Sequence, residues 1–237
     1  MQKLRGHGNQ PMSSNEIDEN LIRSFPASDP PFWSLGTDHL AKTVEVKTLE
    51  TARPDRDAFS LSRAVNDDDH TLGDESAAVT LLMYGAYECP FCVEGNEIVK
   101  RIRNHFGERL RFVFRHFPRT SVHPHAEAAA EVAEAAGEQY RFWEMHDKLF
   151  ENYNRLDGGH LVSYAESLGL DMERFERAIT GRVFAGRVRA DLISGIESGV
   201  KGTPTYFING EKHSGSGQFK PLIEAIENRI AFREAKP

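Results

Sequence analysis

The sequence has only two cysteines, and they stand close together as Cys89-Pro90-Phe91-Cys92. A structural zinc site takes four ligands, so two thiols alone do not provide one. A structural disulfide or a pair of inert thiols is the simplest alternative to a functional role. A lone Cys-x-x-Cys motif is more typical of a redox pair, which is the interpretation that we favour.

Long hydrophobic runs are also missing from the sequence. The first eight residues lead into polar sequence and not into the apolar centre of a signal peptide. No later stretch approaches the length of a membrane span. We therefore expect a cytoplasmic location and no membrane partner. The net charge of −7 argues in addition against nucleic acid as a partner.

Regular apolar periodicity is absent from the N-terminal part of the chain. Residues 1–65 contain scattered apolar residues and many turn formers, which predicts a largely disordered extension, and most of the acidic excess of the chain lies within residues 1–75. Residues 66–235 carry periodic patterns and are predicted to form the folded domain. Within the extension, the aromatic and proline-rich segment Phe25–Trp33 either docks on a partner or on the domain, or is part of a solvated linker.

The two cysteines lie where an apolar strand, residues 79–84, is predicted to turn into a helix. Cys89 then falls near the helix N-cap, and Pro90 occupies the first helical position, where a missing N–H is harmless. The helix dipole and the free amide donors at this end favour a thiolate at Cys89. Cys92, one turn later, lies on the same side and can form a disulfide with Cys89.

A second informative segment lies far downstream, in residues 200–210. Thr203-Pro204 opens a short strand that ends in an Asn-Gly turn, and a cis peptide bond before Pro204 would be compatible with this position. A final amphipathic helix is predicted from about Phe219 to Phe232.

The region between these segments begins with a helix and a strand and continues as helices. The pattern predicts a helix from Pro90 to about Phe106 and a strand near Leu110–Phe117. Helical periodicity then predominates up to Val200. The helices predicted there are 125–136, 139–150, 161–168, 171–179 with Asp171 as N-cap, and 182–199.

Four segments together resemble the DsbA-like thioredoxin-fold oxidoreductases. They are residues 84–92, 112–118, 123–126 and 202–210. The resemblance implies an α/β thioredoxin-like fold with a helical insertion at about 118–200, between a βαβ and a ββα half. It also implies that Cys89 is the nucleophile, that Cys92 resolves the mixed disulfide, and that Thr203 and Pro204 form the substrate-binding cis-proline loop.

One position departs from the protein that gives this family its name. That protein has histidine before its second cysteine, whereas this chain has Phe91. We expect Pro90, Phe91 and Glu88 to tune the cysteine pair. The Glu88 carboxylate would oppose ionisation of Cys89 if it were close, or would accept a proton, unless it is simply solvated.

The expected function is thiol–disulfide exchange on protein or small-thiol substrates, with the redox-active disulfide in place of a cofactor. A cytoplasmic location favours the reductase or isomerase direction, with glutathione or a thioredoxin-type protein as a possible redox partner. Two alternatives remain. One is a glutathione-dependent isomerase or transferase on a related fold. The other is a non-enzymatic binding module that acts through the Phe25–Trp33 segment.

The histidines add weaker candidates. His123 and His125 would give four metal ligands together with the two cysteines, but a histidine next to a proline is common at a helix entrance, so no metal is predicted. His146 lies on an apolar helix face and is expected to be a hydrogen-bonded core residue. Nothing in the sequence places His116 beside Cys89.

Overall fold

A five-stranded sheet and seven α-helices form residues 60–234, the part of the chain that the computed structural model describes. The strands are β1 (His70–Leu72), β2 (Val79–Gly85), β3 (Leu110–His116), β4 (Thr205–Ile208) and β5 (Glu211–Lys212). The helices are α1 (Pro90–Phe106), α2 (Ala126–Gly137), α3 (Phe142–Glu151), α4 (Gly158–Ser167), α5 (Met172–Thr180), α6 (Ala185–Glu197) and α7 (Phe219–Glu234).

The strand order in the sheet is β1-β3-β2-β4-β5. The two central strands, β2 and β3, are parallel and are connected by α1, whereas β4 runs antiparallel to β2 and is followed by β5 and α7. Helices α2 to α6 lie between β3 and β4 in sequence. The predicted thioredoxin-like fold, with a helical insertion between βαβ and ββα halves, is therefore confirmed.

Both faces of the central strands are buried, which explains why β2 is apolar at nearly every position. Val79, Leu81 and Met83 point into the core that also contains the apolar residues of α1 and α7. Leu82 and Tyr84 point the other way, into a second cluster against which Leu192 of α6 packs. Alternate residues of a strand face opposite sides of the sheet, so a strand covered on both sides is apolar throughout.

Strand β1 was not predicted from the sequence. It has only three residues and pairs antiparallel with β3, from His70 opposite Phe114 to Leu72 opposite Phe112. So short a segment shows no recognisable period of its own. Its position is determined by β3, whose free edge it covers.

Two helices in the insertion begin three residues later than predicted. Helix α3 was predicted from Gln139 and α6 from Arg182. Tyr140 has a φ of 62° and Arg182 a φ of 48°, so both have left-handed backbone that a right-handed helix does not accommodate. The predicted N-cap of α5 is confirmed, since the Asp171 side chain accepts a hydrogen bond from the Arg174 N–H.

Residues 60–65 contact the folded domain, although the sequence analysis assigned them to the extension. Leu61 donates its N–H to the Gly210 carbonyl at 2.9 Å, and Leu61 and Val65 pack against the second hydrophobic cluster. The buried Arg115 side chain donates to the Arg63 and Ala64 carbonyls at 2.9 and 3.0 Å. The predicted boundary at residue 65 remains a prediction, as does the extension itself, whose residues 1–59 lie outside the described part.

A comparison of two truncated chains tests where the domain begins. A chain that starts at Ser60 is expected to unfold cooperatively with nearly the stability of the full-length protein. A chain that starts at Asn66 should lose about 3 kcal/mol, because it exposes apolar surface beneath Leu61 and Val65 and removes two acceptors of Arg115. Urea unfolding of both chains measures the difference. Equal stability would show that residues 60–65 are not part of the domain.

Between residues 60 and 234, no helix is both long enough and apolar enough to cross a bilayer.

Candidate active site

Cys89 and Cys92 lie at the start of α1, where β2 ends and the chain turns into the helix. Cys89 is the N-cap residue, with extended backbone angles, and Pro90 is the first helical residue. Cys92 follows within the first turn and is completely buried, whereas Cys89 is 3% exposed. The predicted placement of Cys89, Pro90 and Cys92 at this strand-to-helix turn therefore matches the structure.

The two thiols have opposite acidities. A hydrogen bond from the Cys92 thiol has the largest effect on the pKa of the Cys89 thiol, and it lowers this pKa. Together with the Thr203 hydroxyl and the N–H groups of Cys92 and Phe91, it outweighs burial and lowers the pKa of Cys89 to about 5. Burial raises the pKa of Cys92 far above its ordinary value, and the neighbouring Cys89 sulfur adds to this effect. At neutral pH the pair thus consists of one thiolate, Cys89, and one thiol, Cys92.

The reactivity of Cys89 should reflect this low pKa. We expect its rate of alkylation by iodoacetamide to change little between about pH 6 and about pH 9, because the thiolate is already the dominant form above its pKa. Mass spectrometry of the reduced protein after brief labelling gives the rate for each cysteine, with Cys92 as the internal control that stays unlabelled. A rate that continues to rise up to about pH 9 would identify Cys89 as an ordinary thiol.

The loop before β4 faces the cysteines. The Thr203–Pro204 peptide bond is cis, and the Thr203 carbonyl oxygen lies 3.6 Å from the Cys89 sulfur. The loop packs closely on α1 because residue 95 is glycine: a methyl group there would lie 3.2 Å from Cγ of Pro204. The chain thus brings the predicted residues Thr203 and Pro204 next to Cys89, more than a hundred residues away in sequence.

Phe91 and Glu88, the other two residues predicted to tune the cysteine pair, lie beside it but have different surroundings. The Phe91 side chain is 70% exposed and points away from the core, so it adds little desolvation to the thiols. Glu88 is bound to the start of α2, where its carboxylate accepts the His125 N–H at 2.7 Å and lies 2.8 Å from Nδ1 of that ring. Glu88 thus links the cysteine loop to the helical insertion, a contact that the sequence did not reveal.

His125 and His146 form hydrogen bonds with other side chains. The ring of His125 binds Glu88, which removes it from the hypothetical metal site with the cysteines. His146 is confirmed as a buried core residue: its Nδ1 lies 3.1 Å from the Tyr87 hydroxyl and its Nε2 lies 3.2 Å from Oδ1 of Asn96. Burial, the largest cause, keeps the pKa of His146 well below its ordinary value.

A second buried polar cluster was missed by the sequence analysis. Glu134 of α2 binds both His70 and His116 at 2.9 Å, and Asp191 of α6 accepts the His116 N–H at 3.1 Å. His116, Glu134 and Asp191 are close enough together to hold a metal ion. The guanidinium of Arg187, however, lies 2.7 Å from Asp191 and opposes a cation there, so we assign the cluster a structural role.

Comparison with known proteins identifies the family. Residues 65–228 match the family model described as Thioredoxin. The match covers more than half of the chain, and the chain belongs to this family.

Curated relatives are much longer proteins. A protein titled Na(+)/H(+) antiporter NhaA 1 from Salinispora arenicola is 42% identical over 171 residues, which are 72% of this chain and 26% of that protein. A protein with the same title from Mycolicibacterium vanbaalenii is 36% identical over 225 residues, or 90% of this chain and 34% of that protein. The chain thus spans between a quarter and about a third of the length of these two relatives.

Solved structures share the fold. BdbD from Bacillus subtilis, in its oxidised form, superposes with a TM-score of 0.66 at 24% identity and covers 74% of this chain and all of that chain. The α-DsbA1 protein of Wolbachia pipientis gives a TM-score of 0.62 at 21% identity, over 73% of this chain and 96% of that one. The predicted resemblance to DsbA-like proteins is confirmed at the level of the fold.

Proposed function

We propose that this protein is a thiol–disulfide oxidoreductase that acts through Cys89 and Cys92. The observation that carries the proposal is the position of the two thiols at the start of α1: Cys89 is the N-cap residue, 3.6 Å from the Thr203 carbonyl oxygen, and Cys92 is buried within the first turn. In this position the pKa of Cys89 is about 5 and that of Cys92 is raised. A nucleophile must be a thiolate at neutral pH, whereas a resolving thiol must stay protonated until the mixed disulfide forms.

The reaction follows from this arrangement. The Cys89 thiolate attacks one sulfur of a substrate disulfide, a mixed disulfide forms, and the other substrate sulfur leaves as a thiolate. Cys92 then loses its proton and attacks the Cys89 sulfur, which releases the second substrate sulfur and forms the Cys89–Cys92 disulfide. The protein thereby loses two electrons and the substrate gains them, and every step runs in reverse when a dithiol is oxidised.

The surface around Cys89 suits a peptide substrate. The Thr203–Pro204 loop lies next to the nucleophile and precedes strand β4, so an extended substrate can pair with the backbone of the loop, as in β-strand addition. The exposed Phe91 ring beside it offers apolar contact. Protein and peptide disulfides or dithiols are the substrate class that we propose.

The direction of exchange depends on the reduction potential. A stabilised Cys89 thiolate favours the reduced pair, which makes the disulfide easier to reduce than an unstrained disulfide between ordinary thiols. In the cytoplasm, the location expected from the sequence, reducing thiols are abundant and would keep such a pair reduced. We therefore propose a reductase or isomerase role that depends on glutathione or a thioredoxin-type protein as the external thiol.

The proposal is tested by the reduction of a peptide that contains a single disulfide, with glutathione as the reductant. The wild-type protein should accelerate the reaction in catalytic amounts, whereas Cys89→Ser should not exceed the uncatalysed rate. Equal rates for the two proteins would refute the proposal. Full activity of Cys92→Ser would point instead to a glutathione-dependent transferase or isomerase, which does not require the second thiol.

A further inference from the structure

Tyr206, in the middle of β4, is held in place between two glycines. It pairs with Met83 of β2 across the sheet. A methyl group at Gly95 of α1 would lie 2.6 Å from the Tyr206 hydroxyl oxygen, and one at Gly217 would lie 2.8 Å from a ring carbon, Cε2. The ring therefore fills the space that both glycines leave open, and its hydroxyl group is directed at α1.

The Tyr206 hydroxyl is buried and has no hydrogen-bond partner among the described residues. A buried hydroxyl without a partner destabilises the folded state, because its hydrogen bond to water is lost and not replaced. Phenylalanine would fill the same volume without this penalty. The hydroxyl therefore does not stabilise the fold, and its presence points to another role.

The hydroxyl lies about one turn of α1 away from the resolving cysteine. Gly95, which it touches, is three residues after Cys92 and hence nearly one turn further along the same face of α1. Burial is the main reason for the raised pKa of Tyr206, and negative charge on Cys92 and on the exposed Glu94 raises it further. The phenol consequently remains protonated, as a donor, when Cys92 becomes a thiolate.

Cys92 requires such a donor during exchange. Its sulfur is buried, and burial makes the thiolate form unfavourable. The Ala86 N–H donates to this sulfur over a long distance, 3.5 Å, and the Thr203 hydroxyl also favours the thiolate. A further hydrogen bond would thus lower the barrier of the step in which Cys92 carries charge.

We propose that the Tyr206 hydroxyl donates a hydrogen bond to the Cys92 sulfur whenever that sulfur is charged, and so accelerates the resolving step. In this step the Cys92 thiol releases its proton to solvent or to the departing substrate thiolate. The Cys92 sulfur forms a bond to the Cys89 sulfur, and the bond between Cys89 and the substrate breaks with its electron pair on the substrate sulfur. Tyr206 keeps its own proton throughout. This inference rests on the proposed function and assigns a catalytic residue to it.

The test separates the two steps of exchange with an aromatic disulfide reagent whose thiolate product absorbs visible light. Reduced protein releases a first equivalent when Cys89 attacks and a second when Cys92 resolves the mixed disulfide. In rapid-mixing experiments with excess reagent, Tyr206→Phe should leave the first phase unchanged and slow the second phase about tenfold, the size expected for one hydrogen bond to a charged group. Tyr164→Phe, which removes a hydroxyl bonded to the Arg155 carbonyl in the insertion, is the matched control and should change neither phase.

The outcomes of this experiment distinguish the inference from the proposed function. An unchanged second phase in Tyr206→Phe, or equal slowing of both phases, would overturn the role of Tyr206 while leaving the exchange chemistry intact. Absence of both phases in the wild-type protein would overturn the proposed function itself. The variant is expected to unfold at the same or a higher urea concentration than the wild type, so a slow second phase is not explained by misfolding.

Discussion

Replacement of Cys92 by serine is expected to trap mixed disulfides between Cys89 and the substrates of the protein, whereas replacement of Cys89 should abolish exchange. The reason is the difference in their surroundings. Cys89 lies at the helix N-cap with a low pKa, and Cys92 is buried with a raised pKa. The serine hydroxyl at position 92 still donates a hydrogen bond to Cys89, so the nucleophile stays ionised while the resolving step is lost.

Mass spectrometry of adducts formed with glutathione disulfide measures this effect. The Cys92→Ser protein should carry one glutathione on Cys89, at a stoichiometry near one, and the wild-type protein should carry almost none at equilibrium. Cys89→Ser should carry no adduct, since Cys92 is inaccessible and protonated. Adducts on Cys92 in that variant, formed as fast as those on Cys89, would reverse the assignment of the two roles.

Replacement of Asp69 by asparagine is expected to destabilise the domain by about 3–5 kcal/mol, the range for a buried ion pair that loses one partner. Asp69 accepts two hydrogen bonds of 2.8 Å from the completely buried Arg115, and Arg63 lies 3.3 Å away. Burial, the largest single cause, opposes ionisation of Asp69, but the hydrogen bonds and charge of Arg115, the Asn66 N–H and the charge of Arg63 together outweigh it and leave the pKa of Asp69 below its ordinary value. Without the carboxylate, a guanidinium that cannot lose its proton remains in the core with insufficient compensation.

Urea unfolding of Asp69→Asn and of a matched variant, Asp67→Asn, provides the measurement. Asp67 lies in the same turn but is exposed, so its replacement should change the free energy of unfolding by less than about 0.5 kcal/mol. The cysteine site lies elsewhere in the fold, and both variants should therefore retain exchange activity at temperatures where they are folded. Equal stability of the two variants would show that the Asp69–Arg115 pair contributes nothing to the domain.

Those parts of the fold that follow from local patterns could be predicted from the sequence. The two apolar central strands, the helix that begins at Pro90 and the Asp171 N-cap all have signals within a few residues of one another. The left-handed backbone at Tyr140 and Arg182 has no such signal, because neither residue type favours that conformation. Strand β1 is too short to show a period and depends on its partner strand.

At the candidate site, the sequence indicated which residues matter but not how they contact one another. The Cys-x-x-Cys motif and Thr203-Pro204 were recognisable as motifs, and the resemblance implied that they meet. The bond between Glu88 and His125 and the cluster around Glu134 join distant segments whose spacing carries no regular signal. The approach of Tyr206 to Gly95 has one weak signal, a glycine inside a helix that is otherwise well formed, which often marks close packing.

The central claim, that Cys89 and Cys92 form a redox-active pair, is tested most directly by equilibration of the protein with glutathione buffers of graded ratio. Alkylation and mass spectrometry then give the fraction of the intramolecular disulfide in each buffer. A single two-electron transition is expected between about −270 and about −120 mV, since a Cys89 pKa of about 5 lies between the values of thioredoxin and DsbA. If both thiols stayed reduced across all buffers, or formed only mixed disulfides with glutathione, the claim would be contradicted.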